Sequence, residues 1–367
     1  MKEIFQTFFK LGCLAFGGPA AHIAMMEAEV VSKRKWMTSE EFLDMVGTTN
    51  LIPGPNSTEM TMHCGYHRGG KLGLFVAGLS FIFPATILTG ILAWLYFEYG
   101  ELPSVQPFVK GIQPAVLALI AAAVLKLGKK ALKSTELWIL GVLVVAASLY
   151  GINEISLLFI GGFIGAIYFY TKNRQSNTLK MSAWPLLIPQ AVLVGKSTVF
   201  LSFLKIGAIL YGSGYVLFAY LDAELVETGL LSRQVLLDAI AAGQFTPGPV
   251  LSTSTFIGYQ LGGPMTAILA TVGIFLPSFL FILILHPFLH KMRQSKFLSG
   301  FLDSVNVVSV AIMAAVLLIM AEASVTDWKS GLLALLSGIL VFGFKKINVM
   351  WIILGSAVLG WALQFVG

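Results

Sequence analysis

The sequence predicts an all-α polytopic membrane protein: two inverted-topology repeats with broken helices and re-entrant Pro-Gly-Pro hairpins. Three observations carry this. Of the 367 residues, 57% are apolar and 11% charged, too little charge to cover a soluble domain of this length. The apolar residues run in stretches that match a bilayer, which takes about 20 residues per helix; 71–97, 105–127, 263–289, 301–320 and 349–366 are the clearest. A series of motifs also occurs twice, in one order, with loop charges that change sign between the copies.

The repeat is read first because it governs every later assignment. Phe8-Phe9-Lys10-Leu11-Gly12 returns as Phe203-Leu204-Lys205-Ile206-Gly207. Small-residue breaks follow at Phe16-Gly17-Gly18-Pro19 and Tyr211-Gly212-Ser213-Gly214. Leu51-Ile52-Pro53-Gly54-Pro55 then answers Phe245-Thr246-Pro247-Gly248-Pro249, with Asp44 and Asp238 at matched distances before them. Gly69-Gly70 answers Gly262-Gly263, and Pro84 answers Pro277. The N-terminal run has the look of a secretory signal, but Lys10 interrupts its apolar core and the segment recurs in mid-chain, so it is expected in the mature protein.

Loop charges orient the copies. In the first, cations gather at Lys33-Arg34-Lys35, Arg68, Lys71, Lys129, Lys130 and Lys133, while the intervening turns carry Glu98, Glu101 and Glu154. In the second the pattern swaps: Lys291, Arg293, Lys296, Lys345 and Lys346 occupy the glutamate places. Lys/Arg bias sets orientation in membranes. The expected domains are a repeat over 1–171, a cytoplasmic linker over 172–196 with an interfacial helix at 184–195, and an inverted repeat over 197–367. The formal charge of +6 sits in these short loops and does not point to nucleic acid.

Each repeat is expected to hold a broken first helix, a Pro-Gly-Pro hairpin and four spanning helices. Broken backbone inside a bilayer has no water to satisfy it and is tolerated where it lines a cavity. The breaks at Gly17, Gly18, Gly212, Ser213 and Gly214, with Pro53, Gly54, Pro55, Pro247, Gly248 and Pro249, are therefore candidate binding elements. Asn56 and Ser57 are placed to cap the helix that follows, and helix N-termini suit an oxyanion. Thr246 belongs to the second tip. The alternative for these motifs is helix packing through small residues, which is also the reading for Gly161, Gly162 and Gly165.

Lys10 and Lys205 lie one turn before the breaks, where a lysine at membrane depth costs roughly 2.5–3.5 kcal/mol. Attraction of an anion is the functional reading and snorkelling to the interface the structural one. Glu59 and His22 are candidates for proton coupling, His22 standing against a packed, hydrogen-bonded core histidine. His63-Cys64 with His67 is too short a fragment to close a metal site. There is no phosphate loop, no serine nucleophile with a base partner, and no cofactor is expected. Direct ATP drive and an enzyme are therefore not expected.

At these residues the chain resembles the chromate ion transporter family in its long, two-domain form. The resemblance is carried by Phe16-Gly17-Gly18-Pro19-Ala20-Ala21-His22, Trp36, Glu41-Phe42, Asn50 to Glu59, Phe83-Pro84-Ala85, Gly207, Tyr211 to Tyr215, and Gln244 to Pro249. It adds Asn50 and Gln244 to the candidate substrate-binding residues. It implies an inner-membrane exporter of chromate, with sulfate as the related oxyanion. One departure is Ser213-Gly214 where the first copy has Gly18-Pro19, so the two sites need not contribute equally. A dianion leaving a cell with a negative interior gains about 4.6 kcal/mol per 100 mV, which favours export, with proton exchange as a further drive. The expected partners are chromate or a sulfate-like oxyanion, the lipid bilayer and a second copy of the chain in a homodimer. Another small anion or solute on the same fold is the alternative, and a membrane-embedded enzyme or assembly subunit the third reading.

Overall fold

A computed structural model describes residues 1–16, 19–49, 51–172, 196–211, 214–285, 295–344 and 347–365, and within them every regular element is helical. The first segment comprises α1 (Lys2–Leu14), α2 (Pro19–Met26, continued as a π turn over Glu27–Lys33), α3 (Ser39–Thr49), α4 (Asn56–Tyr99), α5 (Gln106–Ala131), α6 (Thr135–Leu149) and α7 (Glu154–Lys172). The second comprises α8 (Lys196–Ile209), α9 (Leu217–Leu221, continued as a π turn over Asp222–Val226), α10 (Arg233–Phe245), α11 (Thr253–Leu285), α12 (Lys296–Ser324), α13 (Trp328–Gly343) and α14 (Val349–Leu363). Gly17, Gly18, Asn50, Gly212, Ser213 and the expected interfacial helix at 184–195 lie outside the described residues.

Local chemistry sets the helix starts. Ser134, Ser232, Ser295 and Asn348 each accept a backbone N–H from the first turn of α6, α10, α12 and α14. Asp327 and Ser330 form a capping box on α13. Such caps hold amides that the helix itself leaves unpaired. Ser57 does not cap α4 as expected: Pro55 holds the N-cap position, and Asn56 is the first helical residue.

The continuous appearance of α4 and α11 hides a reversal. Gly70 has φ +61° and ψ −154°, and Gly263 has φ +77° and ψ −162°, backbone that a side chain would strain. Thr255 and Thr271 are sixteen residues apart, yet their hydroxyls lie 2.7 Å from one another; a straight helix would separate them by roughly 24 Å. In α4 a Cβ on Gly78 would stand 2.8 Å from the Met62 side chain. Each element is therefore two antiparallel arms: 56–68 with 71–99, and 253–261 with 264–285.

The helices sort into two groups that mix the segments. Around the tips, α1 lies on α4, α8 on α11, and α4 meets α11, with Phe75 stacked on Phe279 at 5.5 Å. In the second group α7 packs on α12 and α5 on α14, while α12 also touches α5 and α6. Small residues allow these approaches. A Cβ on Gly161 or Gly162 would meet Val308 or Val305 at 2.6 Å, and one on Gly111 would meet the Ser356 carbonyl at 2.6 Å. This is the close packing by which membrane helices associate, as expected for Gly161, Gly162 and Gly165.

Helices α4, α5, α7, α11 and α12 are each long and apolar enough to cross a membrane. Their outward faces carry large apolar side chains such as Leu72, Leu79, Phe83 and Ile164, a surface that water disfavours and lipid accepts.

Candidate functional site

The two Pro-Gly-Pro tips reach across to the ends of the other segment's first helix. The N–H of Gly54 donates to the carbonyl of Leu210 at 2.6 Å, and the N–H of Gly248 donates to the carbonyl of Ala15 at 2.8 Å. Leu210 and Ala15 are the first residues beyond α8 and α1, where helix carbonyls run out of partners. A tip amide has none of its own, so each bond removes two unpaired groups from a medium without water. Both glycines require positive φ, +143° and +94°.

Beside these crossings lies a cleft of about 630 Å³. Pro19, Leu51, Asn56, Tyr215 and Val216 line it from the tip group; Lys126, Lys130, Asn306 and Ser309 line it from α5 and α12. The N-terminus of α4 faces it through Asn56, so its first amides add partial positive charge. Lys126 and Lys130, four residues apart, share one face of α5, are exposed, and make no ion pair with any described residue. Lys133, at the same mouth, is bound to Asp303 at 2.7 Å. Polar amide and hydroxyl groups below two uncompensated cations form a setting for a small anion.

The sequence-predicted residues divide. Asn56 lines the cleft, and Pro53, Gly54, Pro55 and Ser57 are buried immediately behind it. Gly214 is buried in the turn before Tyr215. Pro247, Gly248 and Pro249 are buried, and Thr246 sits against α4, where the Thr89 hydroxyl donates to its Oγ1 at 3.2 Å. Gln244 is half-buried at the end of α10. The lysines given the anion in the sequence reading do not line the cleft: Lys10 is exposed on α1, and Lys205 is paired with Glu224 at 2.7 Å.

Glu59 and His22 are both enclosed, at 0% and 2% exposure. Among the described residues the Glu59 carboxyl oxygens have no hydrogen-bond partner. Glu59 Oε1 and Ser278 Oγ both crowd the space next to Gly54, and His22 meets Phe81 edge-on at 5.7 Å. A packed histidine is therefore present. Among the described residues no group of three metal-ligating side chains comes together.

Sequence reasoning missed Lys126, Asn306 and Ser309, and used Lys130 only as a topology charge. The available signal was spacing. Lys126 and Lys130 lie four apart at the end of an apolar run, and Asn306 and Ser309 lie three apart within one, where polar residues seldom face lipid.

The chromate transporter family model matches the chain twice, over residues 2–166 and 197–361. A chromate transport protein of Pseudomonas aeruginosa is 30% identical over 380 residues, covering 98% of this chain and 91% of that protein. One of Cupriavidus metallidurans is 28% identical over 371 residues, covering 98% and 92%. A shorter, uncharacterized transporter of Bacillus subtilis is 27% identical over 182 residues, 48% of this chain and 91% of its own length. No solved structure matches the chain significantly. With five membrane-length helices among the described residues and matches along nearly its whole length, this multi-pass membrane protein belongs to the chromate transporter family.

Proposed function

We propose that the protein exports chromate, or a sulfate-like dianion, across the cell inner membrane by alternating access. The observation that carries this reading is the cleft, lined by Asn56, Ser309, Lys126 and Lys130, the two lysines making no ion pair with any described residue. The curated relatives named for chromate transport support the choice of oxyanion. In this reading 1–171 and 197–367 are inverted repeats joined by the linker 172–196, and the Pro-Gly-Pro segments are re-entrant hairpins. The paired bonds Gly54–Leu210 and Gly248–Ala15, the two reversals at Gly69-Gly70 and Gly262-Gly263, and a half-length relative all support it.

The cleft opens beside Lys126, Lys130 and Lys133, at the loop that the positive-inside rule assigns to the cytoplasm. The state described is then inward-open. Export of a dianion down the membrane potential releases about 4.6 kcal/mol per 100 mV, and Glu59 and His22 are retained as proton-coupling groups. Lys10 and Lys205 act at long range in this scheme, outside the cleft, and a homodimer is the assembly expected.

Everted membrane vesicles containing the protein should accumulate chromate faster when the potential is imposed interior-positive. Accumulation equal to that of vesicles lacking the protein, or indifferent to the potential, would exclude potential-driven export.

A further inference from the structure

A second, smaller hollow of about 240 Å³ lies toward the other end of α5, lined by Tyr96, Val109, Ile112, Asp238, Phe245 and Ile353. Val109 and Lys126 are separated by roughly 25 Å of helix, so this hollow and the lysine mouth lie toward opposite ends. Its walls are apolar except at the Tyr96 hydroxyl and at Asp238, which is 6% exposed. Two donors hold that carboxylate, each from the other segment: Tyr96 Oη to Oδ2 at 2.7 Å and Gln113 Nε2 to Oδ1 at 2.9 Å. No lysine or arginine among the described residues pairs with it. Among the described residues, Tyr96 is the titratable group that contacts Asp238; Glu101 lies within electrostatic range of Tyr96, and the π turn packed on α10 carries Asp222, ion-paired with Arg233.

A carboxylate shut among apolar walls without a cation is costly, and two neutral donors offset that cost only in part. Its repeat mate Asp44 is exposed on α3, in the segment whose end lines the open cleft. One member of a matched pair is thus exposed and the other enclosed. In an inverted-repeat transporter the two environments exchange when the molecule turns over, so Asp238 meets water when the far side opens.

We propose that Asp238 is a proton-binding site on the far side of the transporter, and that the proton displaces the bonds from Tyr96 and Gln113 which hold α10 to α4 and α5. One proton adds to Oδ1 or Oδ2 and neutralises the carboxylate. The proton leaves again when the site returns to its two donors. The proposal rests on the transport reading above and names a coupling site separate from Glu59 and His22.

The test has two arms on the purified full chain. Infrared difference spectra between acidic and alkaline buffer should contain a protonated-carboxyl band in the wild type that is lost in Asp238→Asn; identical spectra overturn the proposal. In proteoliposomes, Asp238→Asn should keep chromate exchange while the dependence on far-side pH falls at least fivefold. An unchanged dependence also overturns it. Should that variant fail to fold, Tyr96→Phe, which removes one donor, should displace the infrared titration upward by about one pH unit, and no displacement counts against the site. A wild type that moves no chromate defeats the oxyanion reading alone, because the infrared arm decides Asp238 without any anion.

Discussion

The ammonium of Lys205 lies 2.7 Å from the Glu224 carboxylate, with the two side chains 25% and 17% exposed. Lys10, in the matching sequence motif of the first segment, is exposed, while Glu29, which follows it at the spacing by which Glu224 follows Lys205, is taken by Arg34 at 3.0 Å and Lys33 at 3.4 Å. Equivalent sequence positions have thus been wired differently. Removing one partner of a half-buried pair strands the other, at about 1–3 kcal/mol. Lys205→Met should therefore lower the thermal midpoint in detergent, and Lys205→Met with Glu224→Gln should recover most of it. Chromate flux per folded molecule should stay within about twofold of wild type in the double variant. A loss of flux with full stability would return Lys205 to the anion.

Lys126→Ala and Lys130→Ala should each weaken chromate binding at low salt roughly thirtyfold, corresponding to ~2 kcal/mol for a unit charge beside a dianion at contact distance in water. Both lysines are exposed, so the effect should shrink as salt rises from 0.01 to 0.15 M and the Debye length falls from about 30 to 8 Å. Equilibrium binding titrations at the two salt concentrations measure this directly.

Gly54→Ala and Gly248→Ala should each cost about 1–2 kcal/mol from backbone strain alone. At Gly54 the new methyl also meets Glu59 and Ser278, whereas at Gly248 it meets the Ala85 methyl at 2.9 Å. Thermal unfolding should rank Gly54→Ala as the less stable of the two.

Asp327→Ala should destabilise α13 by about 1 kcal/mol, as expected for a lost N-cap. The Ser330 backbone N–H and hydroxyl hold the Asp327 carboxyl below its ordinary 3.8. Because the folded value is the lower one, the contribution is complete above the unfolded value and disappears as pH falls through the folded one. The difference in thermal midpoint between wild type and Asp327→Ala should accordingly narrow below about pH 4.

Helical class and membrane character were legible because apolar length and low charge follow from the bilayer itself. The tips were legible because Pro-Gly-Pro removes donors and bends backbone wherever it stands. The cleft was not, since it joins α5 and α12 to the tips through contacts between residues far apart in sequence. Lys126 reads as an end-of-helix charge until α12 is placed opposite it. The partner of Lys205 was hidden for the converse reason: a lone lysine in an apolar run carries no sign of a glutamate nineteen residues away. The reversals at Gly69-Gly70 and Gly262-Gly263 were visible as paired glycines, but their sharpness depends on φ and ψ, which composition does not encode.

The crossed bonds between tips and helix ends also set a timetable for biosynthesis. Gly54 is inserted long before Leu210 is made, and Ala15 waits longer still for Gly248. At about 5–20 residues per second, the first segment spends on the order of ten seconds or more with an unmatched amide and an unmatched carbonyl. It must be sheltered during that interval by the insertion machinery, by water or by a provisional fold. The polypeptide becomes self-sufficient only when its second tip arrives.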